Sequence, residues 1–118
     1  DWAQHSKRIL DIIDNQVRSL RKRHLIDSYV RGERSGSYWG IRTDIGGYEL
    51  GDTLPASHQQ TLRLADTPTR LKRLPEKRQQ QLMNWGYAVC DAAMRKYVDA
   101  LVAAGSPDPE FPFHGGLA

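Results

Sequence analysis

Residues 82–94 are apolar, aromatic or glycine at every position except Asn84 and Asp91, and strongly polar residues bracket them on both sides. A helix wetted along one side carries an apolar stripe about 100° wide. This segment is apolar nearly all round, so it is expected to be buried on several faces. It cannot cross a bilayer, which needs roughly 20 apolar residues. A helix that demands so many neighbours reads as part of a larger body.

The rest of the chain predicts a mainly α protein with long N- and C-terminal helices, short helices between them and one short strand. Asp1 caps the first helix, with Gln4 three residues later in a relaxed capping box. Trp2, Ile9, Ile13, Gln16, Val17, Leu20 and His24 follow at helical spacing, with Ile12 on the flank. Leu25, Ile26, Tyr29 and Val30 extend the pattern until Gly32 ends it, so the expected span is 2–31. A break near His24 is an alternative.

Residues 37–43 form the strand candidate, because Tyr38, Trp39, Ile41 and Thr43 favour β structure. A lone strand leaves its backbone groups without partners. It must pair with another copy or stay irregular. Residues 44–55 read as a glycine-rich connection. Ser57 and Gln60 form a capping box for a short helix through Leu62 and Ala65, and Thr67-Pro68 opens another through Arg73. Pro75 starts the long last helix, expected to end near Ala104 before Gly105-Ser106-Pro107. The expected division is a helical body, 1–104, and a mobile Pro/Gly-rich tail, 105–118, with docking of Phe111 and Phe113 as the alternative.

Three stretches then acquire a common meaning. They are Tyr38-Trp39-Gly40-Ile41-Arg42-Thr43-Asp44-Ile45, Thr67-Pro68-Thr69-Arg70-Leu71 and Asn84-Trp85-Gly86-Tyr87-Ala88-Val89-Cys90-Asp91-Ala92-Ala93. With Asp14-Asn15-Gln16-Val17-Arg18-Ser19-Leu20-Arg21-Lys22-Arg23, they resemble the C-terminal part of bacterial patatin-like phospholipases, in that family's order over residues 2 to 98. The resemblance implies an α/β hydrolase whose Ser–Asp dyad cleaves acyl esters. It makes this chain a C-terminal fragment of that domain. The implied partners are the upstream catalytic part of the same polypeptide and, for the parent, a lipid or ester substrate.

The family's nucleophile lies in Gly-x-Ser-x-Gly, a turn that exposes the serine oxygen beside oxyanion-stabilising amides. Ser6, Ser19, Ser28, Ser35, Ser37, Ser57 and Ser106 all lack that glycine frame. The family's aspartate precedes Gly-Gly or Gly-Ala, and no aspartate here is followed by glycine. Asp44-Ile45-Gly46-Gly47 has one residue inserted and reads as a turn, its paired glycines supplying positive φ. No residue of this chain is therefore assigned a catalytic, cofactor-binding or metal-binding role, and the chain alone is not expected to be an enzyme.

Other chemistries are weaker. The pI is about 9.2, but a net charge of +3 is small for a nucleic-acid binder. The cluster at Arg18, Arg21, Lys22 and Arg23, with Arg63, Arg70, Lys72, Arg73, Lys77 and Arg78, reads first as solvated helix faces. The alternative is a basic helical module for an acidic partner or an anionic membrane surface. His5, His24, His58 and His114 are scattered without zinc spacing, and His24 is expected to be half-buried. Cys90, the single cysteine, excludes an internal disulfide and reads as core packing. The opening residues show no basic start followed by an apolar run, and the expected setting is cytoplasmic or peripheral to a membrane. Unmet burial demand at Trp39, Trp85, Tyr87 and Met94 predicts a homodimer or a larger symmetric assembly.

Overall fold

The computed structural model describes residues 1–68, 72–98 and 108–118. Its elements are α1 (Trp2–Val30), a 3-10 turn (Ile45–Tyr48), α2 (His58–Ala65) and α3 (Glu76–Tyr97). The mainly helical class is as expected, but the described residues contain no strand. The chain falls into two compact units, Asp1–Ser35 and Gly36–Ala118, while the division expected at residue 104 lies outside the described residues.

The first unit is α1 and the turn that ends it. Asp1 caps the helix by accepting the Ala3 N–H at 3.2 Å. The helix runs unbroken past His24 and closes at Arg31, with Gly32 at φ +70. That left-handed conformation suits glycine, and the N–H groups of Glu33 and Arg34 then bond the Ser28 carbonyl. The apolar pattern does not simply continue along the helix. At 100° per residue, Leu25, Ile26 and Tyr29 lie roughly opposite the stripe of Trp2, Ile9, Ile13 and Leu20. Those three are half-buried, whereas His24 is exposed rather than half-buried.

The second unit is built on α3. Its buried residues are Asn84, Trp85, Ala88, Val89, Ala92 and Ala93, two adjacent rows at i, i+4 spacing. Against them pack Leu64 of α2, Ile45 and Tyr48 of the 3-10 turn, Ala56 and Leu117. The burial is one-sided. Met83, Gly86 and Tyr87 remain exposed, so the segment expected to be buried on several faces is buried on one and leaves an apolar strip open.

Gly86 shows the consequence. Close approach of another backbone would explain a glycine in mid-helix, but a Cβ built there meets nothing within 4 Å. Gly86→Ala is therefore expected to stabilise the second unit by about 0.5–1 kcal/mol through helix propensity alone. Urea unfolding of the two proteins checks it; a loss of stability would mean that the site is occupied.

The strand expected over 37–43 is replaced by irregular extended chain and a turn. The Gly40 N–H donates to Thr43 Oγ1 at 2.9 Å, and the Thr43 N–H donates to the Gly40 carbonyl at 3.0 Å. No neighbouring strand exists among the described residues, so the backbone finds local and side-chain partners instead. The Trp85 indole supplies one, donating from Nε1 to the Ile41 carbonyl at 3.1 Å.

Residues 44–47 do form a turn, though not by the expected means. Asp44 caps it by accepting the Gly46 N–H at 3.0 Å, and the positive φ of +55 falls on Glu49 rather than on the glycine pair. The capping box of α2 is present as expected, with the Gln60 N–H on Ser57 Oγ and the Ser57 N–H on Gln60 Oε1. The helix expected after Pro68 falls partly on 69–71, outside the described residues; Pro68, Lys72 and Arg73 are not helical. The expected continuation of α3 over 99–104 and its stop at 105–107 also lie outside them.

Residues 108–118 are not a loose tail. Leu117 is buried in the core and Phe111 packs at its edge. Three hydrogen bonds from the side chain of Asn84 hold this stretch. Nδ2 donates to the carbonyls of Phe113 and Gly116, both at 2.8 Å, and Oδ1 accepts the Phe113 N–H at 2.9 Å. Gln81 adds a bond to the Ala118 carbonyl at 2.8 Å.

Candidate functional site

Serine chemistry needs a base within hydrogen-bond reach of the hydroxyl. No serine among the described residues has an aspartate or histidine bonded to it. Ser28 donates to the Leu25 carbonyl at 2.7 Å, as a helical serine often does. Ser57 is committed to its cap. Ser37 has a buried hydroxyl without a hydrogen-bond partner, and Ser106 lies outside the described residues. The carboxylate of Asp44, which resembled a catalytic aspartate by position, is used by its own turn.

His5, His24, His58 and His114 are all exposed, and no group of three metal-binding side chains gathers among the described residues.

Cys90 lies half-buried on α3. Burial pushes its thiol pKa above the ordinary value, and the adjacent Asp91 carboxylate pushes it further. Both effects oppose the thiolate, which is the reactive form. Alkylation by iodoacetamide at neutral pH is expected to be slower in the native chain than in urea, rising as pH climbs beyond the usual cysteine range. A native rate that saturates below that range would contradict the placement.

Arg95 organises the most connected polar cluster. It donates from Nε and Nη2 to Asp91 Oδ2 at 3.0 and 2.8 Å, and from Nη1 to Asp52 Oδ2 at 2.6 Å. The hydrogen bond from Arg95 holds the Asp52 carboxyl below its usual range. Both carboxylates are thereby paired with one guanidinium, and the cluster fastens Asp52 to α3. Sequence reasoning missed Arg95, although Asp91 and Arg95 stand at the i, i+4 spacing of a helical ion pair. It also missed Asn84, whose signal was its position as one of two polar residues in an apolar run.

Apolar surface stays open on both long helices. On α3, Met83, Gly86 and Tyr87 form an exposed apolar strip. On α1, Trp2, Ile9, Ile13 and Leu20 are exposed, flanked by Leu10, Ile12 and Val17. Of the four side chains expected at a dimer contact, Trp85 is instead core and Trp39 packs against it; Met94 is half-buried and Tyr87 is open.

Charge divides unevenly between the units. Asp1–Ser35 holds eight Lys/Arg against five Asp/Glu, and Gly36–Ala118 holds nine against nine. The net charge of +3 therefore belongs to the first unit. The basic residues Arg63, Lys72, Arg73, Lys77 and Arg78 sit in a unit whose acidic residues offset them, and Arg70 lies outside the described residues. Among the described residues, no helix is long and apolar enough to cross a membrane. No family model, no curated protein and no solved structure matches the chain.

Proposed function

We propose that this chain is the non-catalytic C-terminal part of a patatin-like serine acyl-ester hydrolase. The observation that carries the reading is the order of the resembling stretches, from Asp14 through Trp39 and Pro68 to the run Asn84–Ala93. In this reading the nucleophilic serine and its aspartate lie upstream of Asp1. The serine attacks the ester carbonyl while the aspartate takes its proton and passes it to the departing alcohol; water then attacks the acyl-serine ester, releasing the carboxylic acid and restoring the serine.

Two features of the second unit support a supporting role. Residues 37–43 have sheet-forming composition but no strand beside them among the described residues, and the Met83–Tyr87 surface of α3 is apolar and open. In the parent, the central sheet would supply a neighbour to the first and cover the second. The whole net charge in Asp1–Ser35 favours a second reading, a basic binding module.

The purified 118-residue chain is expected to hydrolyse no p-nitrophenyl ester above background. Saturable turnover that survives purification, with a serine-directed phosphonate labelling Ser35 or Ser37, would overturn the reading.

A further inference from the structure

A helix that forms a compact unit by itself cannot bury its own apolar side. The unit Asp1–Ser35 contains one helix, α1, and its stripe remains open: Trp2 is 85 % exposed, Ile13 50 % and Leu20 65 %. Such a surface calls for an occupant. Charge and periodicity decide which.

A second copy of α1 fits poorly. Knobs-into-holes pairing needs apolar residues at alternating spacings of three and four over at least three or four heptads. The seam here runs Trp2, Ser6, Ile9, Ile13, Gln16, Leu20 and Arg23, with polar residues at three of its seven positions. Two copies would also bring together two units that each carry the chain's entire net positive charge.

An anionic lipid surface fits well. Helical spacing puts Arg21 and Arg23 at opposite margins of the stripe and Lys7, Arg8 and Lys22 farther round. Margin arginines can extend to phosphates while their stems lie along the apolar side. The indole of Trp2, near one end, suits the boundary between acyl chains and headgroups. Asp11 and Asp14 lie on the side away from the stripe, with Asp14 paired with Arg18 at 2.6 Å, whereas Asp27 lies in line with the stripe two turns beyond Leu20 and marks where the apolar face ends. Apolar residues on one face with cations at its edges are what an interfacial helix requires.

We infer that α1 is a membrane-surface helix that lays the Trp2–Ile9–Ile13–Leu20 face into a leaflet of anionic phospholipid. The inference stands apart from the hydrolase reading: it concerns this helix alone and holds whatever lies upstream.

Sedimentation of the 118-residue chain with vesicles tests it. Partition is expected to be roughly tenfold stronger on phosphatidylcholine containing about one-third phosphatidylglycerol than on phosphatidylcholine alone, and to weaken as salt screens the charges. Ile13→Asp with Leu20→Asp should reduce binding by roughly tenfold or more, with the second unit's unfolding transition unchanged. If that pair lowers helicity, Arg21→Gln with Arg23→Gln decides: it keeps the apolar face and should erase most of the preference for anionic vesicles. Equal partition on the two vesicle types, or variants that bind like the parent chain, overturns the inference. A lipid-free dimer dissociated by the aspartate pair overturns it too, assigning the face to a second copy.

Discussion

Asn84→Ala is expected to lower the stability of the second unit by about 2–4 kcal/mol and to release residues 111–118. Asn84 is only 1 % exposed, and its amide satisfies two carbonyls and one N–H of the final turn. Alanine leaves those three groups without partners. A buried unsatisfied group costs about 1–3 kcal/mol, so the cheaper outcome is for the turn to swing into water. Undocking would expose Leu117 and the edge of Phe111, which limits the escape. Asn84→Asp should be no milder at neutral pH, because a carboxylate would oppose two carbonyl oxygens. Hydrogen exchange at 111–118 together with urea unfolding checks both variants. Unchanged protection in the alanine variant would show that Gln81 and Leu117 hold the turn unaided.

Trp85→Ala is expected to have the larger effect, about 3–5 kcal/mol. Trp85 is the largest of the fully buried side chains. Its indole fills the space between α3 and the 37–43 segment and bonds the Ile41 carbonyl. Small domains are stable by only about 5–15 kcal/mol, so this variant is expected to lose a large share of the unit's stability. Trp85→Phe separates the two contributions: it keeps much of the packing, and the lost hydrogen bond should cost about 1 kcal/mol. Near-UV circular dichroism and thermal unfolding read the series. Equal destabilisation by phenylalanine and alanine would mean that the bond to Ile41, not packing, anchors the segment.

Local chemistry was the legible part of this fold. Caps at Asp1 and Ser57, the stop at Gly32 and the start at Pro75 follow from bonds within a few residues, and each lies where the sequence indicates. Features set by distant contacts were hidden. Residues 37–43 have strand composition, yet composition cannot supply the neighbouring strand that would realise it. The Pro/Gly-rich end looked mobile because nothing local holds it; the side chain of Asn84, about thirty residues away in sequence, does so. Gly115 and Gly116, both at positive φ, permit the turn that brings those carbonyls to Asn84.

The candidate site was legible mainly as exclusion. The serines lacked the required frame, and the aspartate lookalike was a cap. The concentration of net charge in one unit became visible only when the boundary at Ser35 was known.

The most direct test of the hydrolase assignment is the sequence of the gene upstream of the codon for Asp1. The account predicts an in-frame Gly-x-Ser-x-Gly followed by Asp-Gly-Gly or Asp-Gly-Ala, in that order, before Asp1. An unrelated domain in that place, or an upstream reading frame without either motif, would contradict it.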